Sequence, residues 1–204
     1  MIWVFRIIKQ TIIWFFVCLP LMLIGMLLLP FVLPFIPKEQ EFLPTWCKWF
    51  DNYSGAKEDG LSGDMPYRKA RKAAGHTWLF WERYYWLALR NPINYFSYSK
   101  LGHIIQWNPT ILKWNQKLKG KTAVGVGDIG PHLGQGLLLA ELLDSKGLVW
   151  EVYWIKAYNL FGFKRCIRFR AGHKMGLSHW LHPAKHLQWV LTINPFQKYT
   201  GNDK

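Results

Sequence analysis

The sequence predicts an α+β protein: an N-terminal membrane helix or re-entrant hairpin, a helical middle, and a C-terminal antiparallel β-meander of about four strands. Three observations support this. A long uncharged apolar run lies near the start of the chain, helical periodicity marks the middle, and alternating patterns fill the last third. The predicted boundaries are residues 1–37 for the membrane anchor, 38–120 for a helical region with an acidic loop, and 121–204 for a basic β region that packs with the helical region as one domain.

The N-terminal apolar run is long enough to cross a membrane as one helix. Residues 11–36 carry no charge, and about 20 residues are needed to cross the hydrocarbon layer. A buried core helix seldom runs so long. A cleaved signal peptide is the weaker interpretation, because the run ends at Pro30, Pro34 and Pro37 without a small-residue cleavage site. We therefore expect the segment to be retained.

Two residues inside this run allow either a kinked span or a hairpin. Pro20 removes a backbone donor and Gly25 follows it, so the sequence predicts a kink, and a hairpin that dips into one leaflet is the alternative to a simple span. Basic residues nearly balance on the two flanks, with two before the run and Lys38 and Lys48 after it. This balance gives only a slight preference for a domain on the cytoplasmic side of a bacterial inner membrane.

An aromatic segment follows the anchor. In residues 42–50, the side chains of Phe42, Trp46, Trp49 and Phe50 fall at helical spacing and form one aromatic face. Next to an apolar span, such a face is typical of an interfacial helix at the membrane surface. An ordinary core helix is the alternative interpretation.

Residues 51–64 form the first polar loop. The loop contains four of the twelve acidic residues and three glycines. Asp51, Asn52, Asp59 and Asp64 carry oxygens that suit Ca²⁺, but their spacing does not match the twelve-residue EF-hand pattern. We expect this loop to hold the following helices through arginine pairs rather than to bind a metal ion.

A strongly aromatic helix is predicted for residues 76–90. His76, Arg83 and Arg90 lie seven apart and form one narrow polar stripe, while Trp, Phe, Tyr and Leu cover the remaining surface. Such a helix must be nearly buried, in protein or partly in lipid. We expect the stripe to face solvent and to have no catalytic role.

Four strands are predicted in the last third of the chain. Residues 137–143 and 148–157 form a hairpin around the turn 144–147, and strands follow at 163–171 and 187–193. Residues 137–143 alone also fit a short helix. In the second strand, Glu151, Tyr153 and Ile155 share one face. Short links between successive strands favour an antiparallel meander.

The excess of basic over acidic side chains indicates an anionic partner. The formal net charge is +14, from 26 basic and 12 acidic side chains. Such a charge favours anionic phospholipid, nucleic acid or an acidic protein. Lys164, Arg168 and Arg170 alternate along the third strand and are the best candidates for an anion-binding surface. A solvated sheet face is an equally good interpretation.

Several motifs resemble parts of enzyme sites but lack the neighbouring residues that such sites require. Residues 125–130 match G-x-G-x-x-G, but Pro131 follows at once and no βαβ unit is present, so no nucleotide cofactor is predicted. His179, His182 and His186 are weak metal-ligand candidates, since Pro183 interrupts them and no acidic residue lies near to orient an imidazole. No set of residues assembles into a catalytic site, so the sequence predicts no metal, no cofactor and no enzyme.

Six short motifs spread over most of the chain point to a known kind of protein. They are Leu43-Pro44-x-Trp46, Trp49-Phe50-Asp51-Asn52, Asp59-Gly60-Leu61-x-Gly63-Asp64, Arg90-Asn91-Pro92, Arg168-x-Arg170-x-Gly172-x-Lys174 and Asn194-Pro195-Phe196. Together with the apolar segment, this set resembles an uncharacterised family of small proteins from tailed bacteriophages and prophages. The resemblance implies a setting, a phage product acting in or on a bacterium, and no activity. His173, where the family suggests an aromatic residue, is a departure.

Three functional hypotheses follow. The first is a phage-encoded, membrane-anchored binding or structural protein, in the host inner membrane or the virion, whose basic domain binds anionic lipid, a host membrane protein or a virion component. The second is a membrane-tethered nucleic-acid-binding protein. The third is a hydrolase that uses the histidine cluster. A small-molecule substrate is not expected. The sequence does not specify the partner, the stage of infection, the topology of the anchor or the oligomeric state.

Overall fold

The structure, a computed structural model, describes residues 1–52, 60–63, 65–75, 78–105, 110–118, 134–175 and 185–201. It contains a long N-terminal apolar helix, a group of shorter helices, and a C-terminal antiparallel sheet of five strands. The predicted α+β class is confirmed. The chain divides into two compact units, one made of Met1–Thr11 and Gly102–Lys204 and the other of Ile12–Leu101. The predicted domain boundaries stay a prediction.

One continuous helix runs from Ile2 to Phe35. It consists of α1 (Ile2–Ile13), a π-helical turn at Trp14–Cys18, α2 (Leu19–Val32) and a final 3₁₀ turn at Leu33–Phe35. The single helix is confirmed, and the alternative of a re-entrant hairpin at Pro20 is wrong. Pro20 lies two residues after the π turn, which the Leu19 N–H closes by bonding to the Trp14 carbonyl five residues back. The wider turn accommodates the proline without ending the helix.

The unit Ile12–Leu101 is helical. After the long helix come a 3₁₀ helix at Thr45–Phe50, α3 (Met65–Ala73), α4 (Leu79–Tyr84) with a π-helical continuation at Tyr85–Arg90, and α5 (Asn94–Ser99). Their apolar side chains form the core of this unit. Its buried members include Leu29, Leu33, Leu43, Cys47, Phe50, Leu61, Trp86, Leu87, Ile93 and Phe96.

The second unit is built on a sheet with strand order β2-β3-β4-β5-β7, all neighbours antiparallel. The strands are β1 (His103–Ile105), β2 (Thr110–Leu118), β3 (Gly136–Asp144), β4 (Gly147–Leu160), β5 (Phe163–His173), β6 (Lys185–Leu187) and β7 (Trp189–Lys198). β1 and β6 form a separate two-stranded sheet. The predicted hairpin around 144–147 is β3–β4, with Asp144 paired to Gly147. β2 is not among the predicted strands, which begin at residue 137.

One face of the large sheet carries the core of its unit. Alternate residues of β3, β4 and β5 point into it, as the strand period requires, and β1 and β6 contribute as well. Its members include Ile105, Leu138, Ala140, Leu142, Val149, Tyr153, Ile155, Cys166 and Leu187. The predicted grouping of Tyr153 and Ile155 on one face is confirmed.

Gln10 of α1 bonds to the same sheet. The Gln10 amide accepts a hydrogen bond from the Gly172 N–H (2.6 Å) and donates one to the Val190 carbonyl (2.5 Å). Gly172 has φ +103°, and a Cβ there would lie 2.1 Å from the Trp150 carbonyl oxygen. Only glycine fits at this position. The buried Gln10 side chain therefore pairs the backbone N–H of Gly172 and the carbonyl of Val190.

Candidate membrane-binding surface

The part of the long helix in the helical unit has two different faces. One face, with Cys18, Gly25, Leu29, Val32 and Leu33, is buried by its own unit. The spacing of seven, four, three and one keeps these residues on one side of a helix. The other face is equally apolar but exposed. Its exposed members are Phe15, Phe16, Val17, Leu23, Ile24, Leu27, Phe31 and Phe35.

This exposed apolar face, called the open face below, distinguishes the helix from the buried helix of a soluble core. Only 17% of its most apolar 18-residue window is buried in the protein, and Phe31 keeps 75% of its surface exposed. Residues 12–35 span about 36 Å at 1.5 Å per residue, against a hydrocarbon layer of about 30 Å. This one N-terminal helix is therefore long and apolar enough to cross a membrane.

Close packing at Gly25 fixes the covered face. The Phe50 ring lies against this glycine, and a Cβ there would approach Phe50 Cδ1 to 2.8 Å. At the next residue, the Tyr84 hydroxyl donates a hydrogen bond to the Met26 carbonyl at 3.2 Å. The 3₁₀ helix Thr45–Phe50 and α4 thus hold the middle of the long helix from one side.

Arg83 binds the chain where the long helix ends. Its guanidinium donates to the carbonyl oxygens of Ile36 (3.2 Å), Pro37 (3.1 Å), Lys38 (2.9 Å) and Gln40 (3.0 Å). These four residues follow Phe35, the last residue of the helix, and the Pro37 carbonyl also accepts the Gln40 N–H at 3.1 Å. Arg83 therefore adds a charged donor to the irregular segment that leaves the helix. Burial lowers the pKa of Arg83 from its ordinary value, while the charge of Glu39 raises it.

The predicted solvent-facing stripe is wrong at Arg83, which is only 2% exposed. Arg90 is exposed, with its guanidinium carbon 4.5 Å from the Trp86 ring centroid. His76 lies outside the described residues. The seven-residue spacing placed Arg83 and Arg90 on one face but could not reveal the partner of Arg83. Its partners are backbone atoms, which leave no pattern in the side-chain sequence. The only signal was the proline-rich exit of the helix.

Aromatic side chains are exposed on two segments of the helical unit. Of the four predicted interface residues, Phe42, Trp46 and Trp49 are exposed, whereas Phe50 is buried against Gly25. A second exposed set lies in the predicted aromatic helix 76–90, at the N-cap of α4, in α4 and in its π-helical continuation. Its members are Trp78, Trp81, Tyr85 and Leu89. Contact of Phe42, Trp46, Trp49 and Phe50 with a membrane stays a prediction.

Asp51 fixes the entry to the acidic loop. Its buried carboxylate accepts hydrogen bonds from the N–H groups of Leu43 (3.0 Å) and Asn52 (2.8 Å), and its carbonyl accepts one from the Tyr95 N–H. The partners of its carboxylate are backbone donors and not the expected arginines. Burial raises the pKa of Asp51 to about 6, against the lowering effect of these hydrogen bonds. Asp59 and Asp64 lie outside the described residues.

The three predicted anion-binding residues of β5 have different surroundings. Lys164 is exposed, Arg168 is half-buried, and Arg170 is buried and forms an ion pair with Glu151. Glu151 also accepts a hydrogen bond from the Met175 N–H at 2.8 Å. Burial raises the pKa of Glu151, and Arg170 opposes this shift. Anion binding by these residues stays a prediction, although the charge of Arg170 already has an internal partner.

The described residues give no support to a metal site. Among them, no group of three His, Cys, Asp or Glu side chains is placed as metal ligands would be. His179, His182 and the side chain of His186, and residues 125–130 of the glycine motif, lie outside the described part. His103 binds the carboxylate of Asp144 through Nε2 at 2.9 Å. This contact joins β1 to the end of β3.

A family of unknown function, DUF7338, matches residues 6–201. The chain belongs to this family. The match covers nearly the whole chain, so the long helix, the shorter helices and the sheet are all parts of one DUF7338 architecture. The uncharacterised family is confirmed, and its bacteriophage setting stays a prediction. The chain matches no curated protein and no solved structure.

Proposed function

We propose that the chain is a membrane-anchored binding or structural protein without catalytic activity. Residues 12–35 of the long helix form the anchor, and the basic sheet unit binds the partner. The open apolar face of the helix, with exposed Leu27, Phe31 and Phe35, supports this most strongly. Burying a large apolar side chain is worth about 1.5–3 kcal/mol. Eight such side chains left in water forfeit on the order of 10 kcal/mol, as much as the whole stability of a typical domain.

The end of the helix also suits a lipid environment. Backbone carbonyls of an irregular segment near hydrocarbon need donors from the protein, because water is scarce there. The buried guanidinium of Arg83 supplies them for Ile36, Pro37, Lys38 and Gln40. Trp46, Trp78 and Trp81 are also exposed, and an indole ring is a large apolar surface that suits contact with a membrane.

The setting that we propose is the inner membrane of a bacterial host, or a virion, with the chain as a phage product. The basic residues of α3, Arg68, Lys69, Arg71 and Lys72, favour the cytoplasmic side, where anionic lipid is abundant. The partner of the sheet unit is anionic lipid, a host membrane protein or a virion component.

The anchor can be tested by placing charge on the open face. The full chain is expressed with a tag, and its membranes are washed with alkaline carbonate, which removes peripheral proteins. The wild-type chain and Phe31→Leu should stay in the pellet. Leu27→Asp combined with Phe31→Asp should leave it, since a charge costs about 3 kcal/mol near the middle of a span and less towards its end.

Two results would contradict the anchor. Recovery of the wild-type chain as a soluble monomer without detergent would mean that its own fold covers the open face. Release of the wild-type chain by carbonate would mean that another protein covers it. Tags at both termini, tested for protease access in intact and opened cells, give the orientation.

A second candidate is a membrane-tethered nucleic-acid-binding protein. The observation that favours it is the absence of any acidic residue from 152 to 202 in the sequence, a range that contains eight basic residues. Binding to nucleic acid would weaken steeply with salt, because each phosphate contact releases counterions. The full chain in nanodiscs, titrated with fluorescent DNA and RNA at several salt concentrations, tests this. Absent or salt-insensitive binding removes the candidate.

A further inference from the structure

The tip of the β4–β5 hairpin exposes an aromatic ring on an unusual backbone. Leu160 pairs with Phe163, so Phe161 and Gly162 form a two-residue turn. Phe161 has φ +49° and Gly162 has φ +83°. Turns with two positive φ values favour Asn-Gly, Asp-Gly or Gly-Gly. A bulky side chain in this conformation is uncommon and costs on the order of 1 kcal/mol or more.

Packing within the protein does not compensate for this cost. The Phe161 side chain is 92% exposed. Phe163, the next residue but one, is also exposed. Phe196 is exposed on the adjacent strand β7, two residues before Lys198, the partner of Arg165. The tip thus displays two exposed aromatic side chains, with a third on the neighbouring edge strand. Patches of this kind mark a binding surface.

Cations surround the apolar tip. Lys164 follows Phe163 directly, and Arg165 pairs with Lys198 across β5 and β7. The Arg165 guanidinium carbon lies 5.8 Å from the Phe163 ring centroid. No acidic residue occurs in the sequence from 152 to 202. The eight basic residues of this range are Lys156, Lys164, Arg165, Arg168, Arg170, Lys174, Lys185 and Lys198.

We propose that the β4–β5 tip inserts into the headgroup layer of an anionic lipid bilayer. Phe161 and Phe163 enter the apolar boundary, and Lys164, Arg165 and Lys198 meet the lipid phosphates. Aromatic side chains flanked by cations complement a bilayer surface, in which anionic headgroups lie above apolar acyl chains. This inference rests on the proposed function, in that the anchor keeps the chain at a membrane. It adds a second, lipid-selective contact made by the sheet unit.

The β3–β4 hairpin of the same sheet provides an internal control. Its turn consists of Ser145 and Lys146, both exposed. Asp144 Oδ1 accepts the Ser145 N–H at 2.7 Å, so this turn is stabilised by a polar side chain. The two hairpins have β4 in common but differ in the chemistry of their tips. Only the β4–β5 tip should respond to lipid.

The test uses the full chain in nanodiscs. An environment-sensitive fluorophore is attached at Asn159→Cys, an exposed position beside the tip, or at Lys146→Cys in the control hairpin. The three native cysteines are buried, and the unsubstituted chain measures their background labelling. The discs contain phosphatidylcholine alone or with phosphatidylglycerol, plus a lipid-attached quencher. The label at Asn159→Cys should shift to the blue and be quenched in the anionic discs only, and the label at Lys146→Cys in neither.

Substitutions at the tip separate its two components. Lys164→Gln and Lys198→Gln should each lower the equilibrium between bound and free tip by about fivefold, the equivalent of about 1 kcal/mol per cation near an anionic surface. Lys146→Gln should leave it unchanged. Phe161→Ser together with Phe163→Ser should abolish the quenching while the chain remains in the disc.

Several outcomes would overturn the proposal. They are an unchanged signal at Asn159→Cys in anionic discs, equal quenching in neutral and anionic discs, or a blue shift in detergent alone that follows protein concentration and so reports a second copy of the chain. If the chain stays in the disc while the tip label remains in water, the tip proposal fails and the anchor stands. If the chain does not enter the disc, the anchor itself fails.

Discussion

The two units bury an arginine in opposite ways. In the helical unit, Arg83 is surrounded by neutral carbonyl oxygens and caps the chain beyond the long helix. In the sheet unit, Arg170 forms an ion pair with Glu151, whose side chain is fully buried. The guanidinium fork suits both arrangements, because its donors can be shared among several oxygens. The comparison shows that the same side chain serves as a helix cap in one unit and as half of a charge pair in the other.

The difference follows from what each backbone leaves unpaired. Strands satisfy each other's carbonyls, so a buried cation among β4 and β5 must bring its own counter-charge. A helix that ends in a proline-rich segment leaves several carbonyls together, and these form a partially negative site without any carboxylate. Charge removal and pH should therefore affect the two units differently.

The largest effect is expected at the ion pair of the sheet. Glu151→Gln keeps the shape and one acceptor for the Met175 N–H but leaves the Arg170 charge uncompensated. Breaking a buried pair in this way costs about 3–5 kcal/mol. Glu141→Gln, at the partly exposed pair with Arg6, is the matched control and should cost about 1 kcal/mol or less. Chemical unfolding of the detergent-solubilised chain measures both, and equal losses would contradict the assignment of Glu151 and Arg170 as the dominant pair.

The next effect is a pH dependence in the helical unit. The pKa of Asp51 is raised to about 6 from its model-compound value of 3.8, so the folded state binds a proton that the unfolded state releases. Between about pH 4 and 6, the free energy of unfolding should fall as pH rises, by up to about 3 kcal/mol at 1.36 kcal/mol per pKa unit. Above pH 6 this contribution is constant.

Asp51→Asn isolates this contribution. The amide keeps one acceptor oxygen and loses the titration, so the stability of the wild type relative to the variant should be greatest near pH 4. Unfolding curves at a series of pH values measure it. A difference that does not vary with pH would mean that Asp51 titrates at an ordinary pKa in the folded protein.

Removing the helix cap should have a smaller effect. Arg83→Met removes the guanidinium donor from the carbonyls of Ile36, Pro37, Lys38 and Gln40, of which Pro37 keeps the Gln40 N–H. Hydrogen bonds to charged groups contribute about 1.5–3 kcal/mol. We expect a loss of about 2 kcal/mol, because some of these carbonyls will find water. Arg83→Lys should not restore it, since an ammonium group lacks the planar fork.

The control for Arg83 is Arg90→Met. Arg90 contacts rings and is exposed, so its loss should cost about 0.5–1 kcal/mol. Hydrogen exchange should show faster exchange after the long helix in Arg83→Met and not in Arg90→Met. If the two variants behaved alike, the carbonyl contacts of Arg83 would have no special role.

The fold was largely predictable because it follows from periodicity. The uncharged run, the aromatic helical stretch and the alternation in β3, β4, β5 and β7 each leave a pattern in the side chains. β2 was missed because its alternation is weak and it is separated from the other strands. The re-entrant hairpin was considered because Pro20 and Gly25 suggest a break. The π turn that accommodates Pro20 is a backbone adjustment, which side-chain patterns do not report.

The candidate surface was only partly predictable. Exposure of Phe42, Trp46 and Trp49 followed from their position beside an apolar run, whereas Phe50 is drawn inward by the space at Gly25. The partners of Arg83 and Asp51 are backbone groups, and the partner of Arg170 lies on a neighbouring strand. Such contacts depend on the tertiary fold and not on spacing along the chain. The sequence therefore indicates which side chains are unusual, and the structure indicates what they bind.

The smallest expected effect concerns the covered face of the long helix. Gly25→Ala adds helix propensity of about 1 kcal/mol, but its Cβ would meet Phe50 Cδ1 at 2.8 Å, and overpacking costs about 1–3 kcal/mol. We expect a net loss of about 1 kcal/mol. Phe50→Leu removes the ring, and in that background Gly25→Ala should become neutral or stabilising. A double-mutant cycle by thermal unfolding measures the coupling. Additive effects would mean that Phe50 does not rest on Gly25, and that the covered face of the helix is set elsewhere in the unit.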